Sequence, residues 1–160
     1  RFYTDNGIDT FQESACKYLS NVYNLNNLTK DNIMHGIGSK SILAMLPLCF
    51  INPGDICLMP KPAYPTLATY TKFLGGQVYD LPLCEENNFY PYFESIPNDI
   101  LKRAKLLYLN YPNNPTGQVA STEFYEFVVK FAKENNILVT SFHPELTKDT
   151  TFLKYFIEVF

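Results

Sequence analysis

The sequence lacks three features that would each indicate a class of protein: an excess of positive charge, paired cysteines and a long apolar run. Its 13 basic and 16 acidic residues give a formal net charge of −3, which provides no basic field for nucleic acid. The 4 cysteines stand singly without a C-x-x-C pair, so neither a zinc site nor a disulfide framework is indicated. No apolar stretch approaches the roughly 20 residues of a membrane span, and no signal-peptide pattern follows Arg1. We therefore expect a cytoplasmic protein with reduced thiols and with neither nucleic acid nor membrane as a partner.

The most informative stretch present is residues 107–117, where an apolar run breaks into Asn113, Asn114, Pro115, Thr116 and Gly117. The pattern predicts a buried strand over residues 105–110 that delivers polar groups at its end, with prolines fixing the backbone of the loop. Open α/β sheets bind ligands at this position. An ordinary Asn/Pro turn is the other interpretation of the same residues.

The rest of the chain alternates predicted helices and strands, which is typical of an α/β fold. Apolar spacing predicts helices over about residues 8–23, 65–74 and 122–134, and strands over 56–59, 77–81, 105–110 and 137–141. These segments form two βαβ units, and the right-handed crossover rule packs both connecting helices against one mainly parallel sheet. We expect the apolar stripe of the first helix to be core, namely Ile8, Phe11, Ala15, Tyr18, Leu19 and Val22.

A candidate phosphate site precedes the apolar run 42–51. Gly38 permits a close backbone approach, and Ser39 and Lys40 can add a hydroxyl and an ammonium group to the polarised amides of a helix N-terminus. Without further context the same residues are an ordinary helix start. Pro47 lies inside this predicted helix, so we expect a bend there.

Several segments together resemble the class I/II, fold-type I aminotransferases that depend on pyridoxal phosphate. The Asn-Pro-Thr-Gly run after a strand is similar to the signature of that family. The likeness to its LL-diaminopimelate aminotransferase branch extends over about residues 1–140 and is carried by residues 1–8, 37–40, 46–47, 51–55, 62–65 and 75–82.

The resemblance implies a role for each candidate residue. Asn114 would hydrogen-bond the ring hydroxyl oxygen of pyridoxal 5′-phosphate, Tyr64 would stack on the ring, and Gly38, Ser39 and Lys40 would hold the phosphate. Without the resemblance, Tyr64 would be a packing residue, as most aromatic rings are.

The resemblance also implies catalytic groups that these 160 residues do not contain. Family enzymes need a lysine that bonds to the cofactor and moves a proton, and an aspartate on the pyridine nitrogen. The lysine segment would follow Phe160, and Phe142 or its neighbours stand where the aspartate would be. We therefore assign no catalytic residue and expect this polypeptide to be inactive alone.

The tail from residue 140 to residue 160 resembles a different protein, the C-terminal end of the glutaminase subunit of pyridoxal-phosphate synthase. That likeness makes His143 and Glu145 the base and the orienting carboxylate of a cysteine-based triad. No cysteine here lies in a Gly-x-Cys-x-Gly elbow, so the triad cannot be assembled. The other interpretation is that these residues end a strand and precede a last packed helix.

Together these observations predict a partial three-layer αβα large domain over residues 1–139 and an amidotransferase-like tail over 140–160. The function implied is amino-group transfer between amino acids and 2-oxo acids, of the LL-diaminopimelate type used in lysine biosynthesis, by an enzyme that is a homodimer at full length. A glutaminase remnant and a non-catalytic α/β cofactor-binding module are the alternatives.

Overall fold

The computed structural model describes the chain from residue 7 to residue 142. Its helices are α1 (Asp9–Tyr23), α2 (Gly38–Phe50), α3 (Thr66–Phe73), α4 (Asn98–Arg103) and α5 (Thr122–Asn135), and its strands are β1 (Ile56–Lys61), β2 (Gln77–Pro82), β3 (Ala104–Asn110) and β4 (Leu138–Phe142). The helices and strands predicted from apolar spacing are confirmed within a few residues at each end. Within this range no helix combines the length and the hydropathy that a membrane span requires.

The four strands of the described region form one sheet in the order β2-β1-β3-β4. Every neighbouring pair is parallel. The predicted parallel α/β architecture is therefore confirmed, with α3 connecting β1 to β2 and α5 connecting β3 to β4.

Both faces of the sheet are covered, because alternate residues of the central strands enter two separate apolar clusters. Ile56 and Leu58 of β1 pack in one cluster with Tyr125, Val128 and Ala132, three buried residues of α5. The intervening Cys57 and Met59 enter the other cluster, which includes Leu43 of α2 and Leu67 of α3. Since successive side chains of a strand point to opposite faces, α5 lies on one face and α2 and α3 on the other.

The strand order reverses between β1 and β3. From β1 the chain moves outward to β2 on one side, and it then returns to the other side of β1 for β3 and β4. Right-handed crossovers in opposite directions place their helices on opposite faces, as observed here. The point between β1 and β3 is thus the switch point of the sheet, where open α/β folds form their ligand crevice.

The chain divides into two compact units, one up to Ser41 and one from Ile42 onward. In the first unit α1 ends at Tyr23, and Asn24, whose backbone is left-handed (φ 57°), caps it at the start of an Asn-rich segment. The expectation that the apolar stripe of α1 is core is wrong, because Ile8, Phe11, Tyr18 and Val22 are each at least half exposed. The residues of α1 that are buried are Gln12 and Tyr23, and the Gln12 amide donates to the carbonyl of Ile33 at 2.8 Å.

Helix α5 begins with a cap from Ser121, whose hydroxyl accepts the Phe124 amide at 3.2 Å. The apolar side chains of α5 are not equally buried. Phe127 is 43% exposed and contacts Phe93 by its ring edge. Pro47 lies within α2 and is buried, while the bend expected there stays a prediction.

We predict that the fold loses stability above pH 9 because of Cys57. Burial raises the pKa of this thiol from 9.0 to about 12. At pH 8 the thiol is mostly protonated in both states. Near and above pH 9 the unfolded chain releases the proton while the folded protein keeps it, which lowers the free energy of unfolding by about 1 kcal/mol at pH 10. Urea unfolding at pH 8 and pH 10 measures this loss, which Cys57→Ala should reduce by that amount. An equal loss in both proteins would contradict the prediction.

Candidate functional site

The carboxyl ends of β1 and β3 lie side by side at the switch point. The last paired residues of the two strands are Leu58 and Leu107. Each strand ends three residues later, β1 at Lys61 and β3 at Asn110. The loop after β1 carries Tyr64, which is half-buried, and the loop after β3 carries Asn114, which is exposed. Two of the candidate residues are therefore delivered by neighbouring strands to one edge of the sheet.

The buried side chain of Asn110 organises the loop that follows it. Its Oδ1 accepts the backbone N–H of Asn114 at 3.1 Å, and its Nδ2 donates to the carbonyl of Pro112 at 3.3 Å. Asn110 is 3% exposed, so these bonds replace water for both ends of its amide. The last residue of β3 thus fixes where Asn114 leaves the sheet.

Asn113 closes the same loop from within. Its backbone N–H donates to Gln118 at 2.8 Å and its carbonyl accepts from Gly117 at 2.7 Å. Its Oδ1 accepts from both the amide and the hydroxyl of Thr116, at 3.2 and 2.8 Å. Gly117 has a φ of +75°, a left-handed conformation that glycine adopts without a Cβ penalty. The motif is therefore a closed, internally bonded loop rather than an open turn.

Asn114 differs from Asn110 and Asn113, because its side chain makes no hydrogen bond to the described part of the chain and is exposed. Its backbone is fixed through Asn110, whereas its carboxamide is available to a ligand. A ring hydroxyl or its oxyanion is a suitable partner, since the amide donates through Nδ2.

A buried hydroxyl without a partner lies on the face of β3 that α2 and α3 cover. Tyr108 is 0% exposed, and its Oη has no hydrogen-bond partner among the described residues. Burial raises the pKa of this phenol well above its ordinary value, and the neighbouring Tyr64 raises it further. The group therefore stays neutral, and it lies close enough to Tyr64 to interact with it electrostatically.

The phosphate candidates belong to the first unit and lie together at the start of α2. Gly38 has a φ of +72°, and nothing lies within 4 Å of the position that a Cβ would take. Ser39 and Lys40 are exposed, and their amides lie in the first turn, where a helix leaves N–H groups without an intrahelical acceptor. This local geometry can receive an anion.

The remaining candidate positions follow β4. This strand ends at Phe142, whose Cα is paired with that of Asn110, so the position expected of the family aspartate is at the same sheet edge. His143 and Glu145 lie outside the described residues. A surface cavity of about 440 Å³ lies elsewhere, at the amino end of β3, where Lys102, Lys105 and Glu134 contribute to its lining.

An all-parallel sheet with polar loops at its switch point defines a ligand-binding α/β domain. The model of the aminotransferase class I and II family matches residues 1–141, so the chain belongs to that family. It is 54% identical over 140 residues to the LL-diaminopimelate aminotransferase of Methanocaldococcus jannaschii and 46% identical over 140 residues to that of Methanococcus maripaludis. Each alignment covers 87% of this chain and 34% of the relative.

Solved structures agree with this placement. The apo structure of BacF from Bacillus subtilis superposes with a TM-score of 0.81 at 36% identity, over 88% of this chain and 36% of that one. The chain thus spans about a third of the length of the relatives it matches. The predicted fold class and family are confirmed, and the family implies a pyridoxal phosphate cofactor.

Asn110 and Asn113 shape the loop of residues 111–121, which we call the motif loop. The sequence pattern does not predict either role. Asn113, one of the polar residues predicted to be delivered at the strand end, is 3% exposed and serves the loop itself. The pattern predicts Asn110 only as the end of the strand. Its signal was an amide at the end of an otherwise apolar, buried strand, where a polar side chain needs partners.

We predict that Asn110→Ala destabilises the chain by about 1–3 kcal/mol, because the Asn114 amide and the Pro112 carbonyl lose their partner. Asn114→Ala is the matched control, since it removes an exposed side chain without hydrogen bonds and should change stability by less than about 0.5 kcal/mol. Urea unfolding of both variants measures the difference. Equal effects would show that Asn110 does not organise the loop.

Proposed function

We propose that residues 1–139 are the cofactor-binding portion of a pyridoxal-phosphate-dependent aminotransferase of the LL-diaminopimelate type. The observation that carries the proposal is the delivery of Tyr64 and Asn114 to one switch point by β1 and β3, in a chain 54% identical to an LL-diaminopimelate aminotransferase. The boundary near residue 139 and the separate origin of the tail are part of this proposal.

The residues present suit the cofactor at both of its ends. Asn114 offers an unbonded carboxamide to the ring hydroxyl, and Tyr64 offers a half-buried ring to the pyridine face. The first turn of α2, with Gly38, Ser39 and Lys40, offers amides, a hydroxyl and an ammonium group to the phosphate. When bound, pyridoxal phosphate withdraws electrons from the α-carbon of an amino acid. The chain's own contribution is to bind and orient that group.

The substrates we propose are glutamate or 2-oxoglutarate on one side and LL-diaminopimelate or tetrahydrodipicolinate on the other. The identity of 54% to one LL-diaminopimelate aminotransferase and 46% to another supports this choice. We further propose that the whole enzyme is a homodimer, that it is located in the cytoplasm and that it acts in lysine biosynthesis.

We predict that two substitutions distinguish the contact to the phosphate of the cofactor from the contact to its ring. Lys40→Ala should weaken the binding of inorganic phosphate and of pyridoxal phosphate alike, by about twofold to fivefold, because a contact between an exposed ammonium group and the phosphate is lost. Asn114→Ala should weaken the binding of pyridoxal phosphate by a similar factor and leave the binding of inorganic phosphate unchanged. Calorimetric titration at millimolar ligand measures both, and Lys72→Ala, an exposed lysine of α3, is the control.

Two results would contradict this assignment. The absence of any pyridoxal phosphate binding by the unmodified protein would overturn the cofactor proposal. A loss of phosphate affinity in Asn114→Ala equal to that in Lys40→Ala would mean that the two residues do not contact different parts of the ligand.

We also predict that a chimera joining residues 1–139 to the remaining part of the Methanocaldococcus jannaschii relative transaminates LL-diaminopimelate in preference to aspartate or alanine. The 160-residue polypeptide should give no turnover above a control with cofactor alone, because the lysine and the aspartate implied by the resemblance would come from the added part. A coupled glutamate assay measures both. Turnover by the polypeptide alone, or a chimera that prefers aspartate, would refute the prediction.

A further inference from the structure

Two consecutive residues, Phe89 and Tyr90, bond to both ends of the motif loop. The hydroxyl of Tyr111, where the loop begins, donates to the carbonyl of Phe89 at 2.8 Å. The hydroxyl of Tyr90 donates to the carbonyl of Val119 at 3.0 Å and accepts the Ser121 amide at 3.3 Å, where the loop ends. The segment after β2 thus contacts the loop at its entry and at its exit.

Aromatic packing holds both hydroxyls in place. The ring of Tyr90 stacks on Phe124 of α5 with a centroid distance of 4.4 Å and an interplanar angle of 21°. It also packs against the ring of Tyr111 at 5.7 Å. Tyr111 is 1% exposed and meets Phe124 edge to face at 5.3 Å. Because the three rings position one another, the phenolic oxygens have little freedom to leave their acceptors.

The exit of the loop depends on Tyr90 more than the entry does. The entry continues directly from β3 and is also held by Asn110. At the exit, Val119 is 62% exposed and cannot be held by apolar burial. Its carbonyl accepts from Gln118, its own neighbour, and from Tyr90 across 29 residues of sequence. The hydroxyl of Tyr90 therefore ties the exposed Val119 to a distant part of the fold, beside the packing of Ala120 against the core.

The backbone before Tyr90 is in an unusual conformation. Asn88 and Phe89 have φ values of 52° and 55°. Asparagine adopts the left-handed region readily, whereas a bulky residue such as phenylalanine seldom does and is unfavourable there. This conformation accompanies the presentation of the Phe89 carbonyl to Tyr111, and the Phe89 amide is bonded to Cys84 at 2.9 Å.

We propose that Tyr90 is a positioning residue for Asn114, acting through the exit of the motif loop. Its hydroxyl sets the distance between Val119 and the body of the domain, and the closed loop from Asn113 to Gln118 transmits that position to Asn114. The link from Asn114 to the cofactor rests on the function proposed above, whereas the link from Tyr90 to the loop does not.

Tyr90→Phe tests the structural step, because it keeps the stacked ring and removes the two hydroxyl bonds. The amides of Asn113 and Gly117 donate the bonds that close the loop. Their hydrogen exchange should accelerate by about threefold to tenfold, which corresponds to the loss of about one hydrogen bond. Exchange at Leu107 and Leu109 in β3 should not change. Tyr111→Phe should accelerate the same loop amides, and Tyr92→Phe, which alters a 60% exposed ring, should not.

The same variants test the functional step with pyridoxal phosphate and its 3-deoxy analogue, which lacks the ring hydroxyl. Tyr90→Phe should weaken the binding of pyridoxal phosphate by about threefold to tenfold and the binding of the analogue by less than about twofold. Only pyridoxal phosphate has the ring hydroxyl that Asn114 contacts. A purely structural loss would weaken both ligands equally.

Each outcome decides the matter. Unchanged loop exchange in Tyr90→Phe, or acceleration shared with the β3 amides, overturns the positioning role. Accelerated loop exchange with equal weakening of the two ligands overturns the connection to Asn114. If the unmodified protein binds neither ligand, the proposed function fails, while the exchange result still decides whether Tyr90 holds the loop.

Discussion

The parallel pairing of β1 with β3 is the constraint on which the rest of this structure depends. Both strands are buried along nearly their whole length, so their register is fixed by packing on two faces at once. That register brings the last residues of the strands, Lys61 and Asn110, to the same edge. A slip of one residue would exchange the faces of every β3 side chain, moving Tyr108 from the α2 and α3 side to the α5 side.

Three asparagines at the end of β3 show how burial divides one residue type among different tasks. Asn110 and Asn113 are nearly inaccessible, and their side-chain oxygens accept hydrogen bonds within the loop itself. Asn114 is exposed and leaves its carboxamide to solvent or a ligand. Burial of polar groups is favourable only when hydrogen bonds replace water. Asn110 bonds through both ends of its amide and so offsets its desolvation, whereas the buried Nδ2 of Asn113 has no partner among the described residues. The hydrogen bonds that both side chains accept fix the loop that carries the third asparagine.

The sequence predicted those features whose cause is local. Apolar spacing predicts the helices and strands, and the break after β3 predicts the loop that carries Asn114. The exposed stripe of α1 could not be predicted in this way, because spacing indicates which face is apolar and not whether anything covers it. The same limit applies to Phe127, an apolar residue of α5 that is 43% exposed although the next residue, Val128, is fully buried. The roles of Asn110 and Tyr90 depend on partners that only the fold identifies.

The contacts of residues 89 and 90 explain why the motif alone does not define a site. An Asn-Pro-Thr-Gly run specifies the chemistry, and its internal bonds specify a compact loop, but neither fixes the loop relative to the sheet. That placement comes from Asn110 on one side and from phenolic hydroxyls bridging 22 to 31 residues of sequence on the other. Each hydroxyl is in turn held by rings packed over the start of α5, the helix that the loop precedes. The accuracy with which Asn114 is presented is therefore a property of the aromatic cluster, and it can change without any change in the motif.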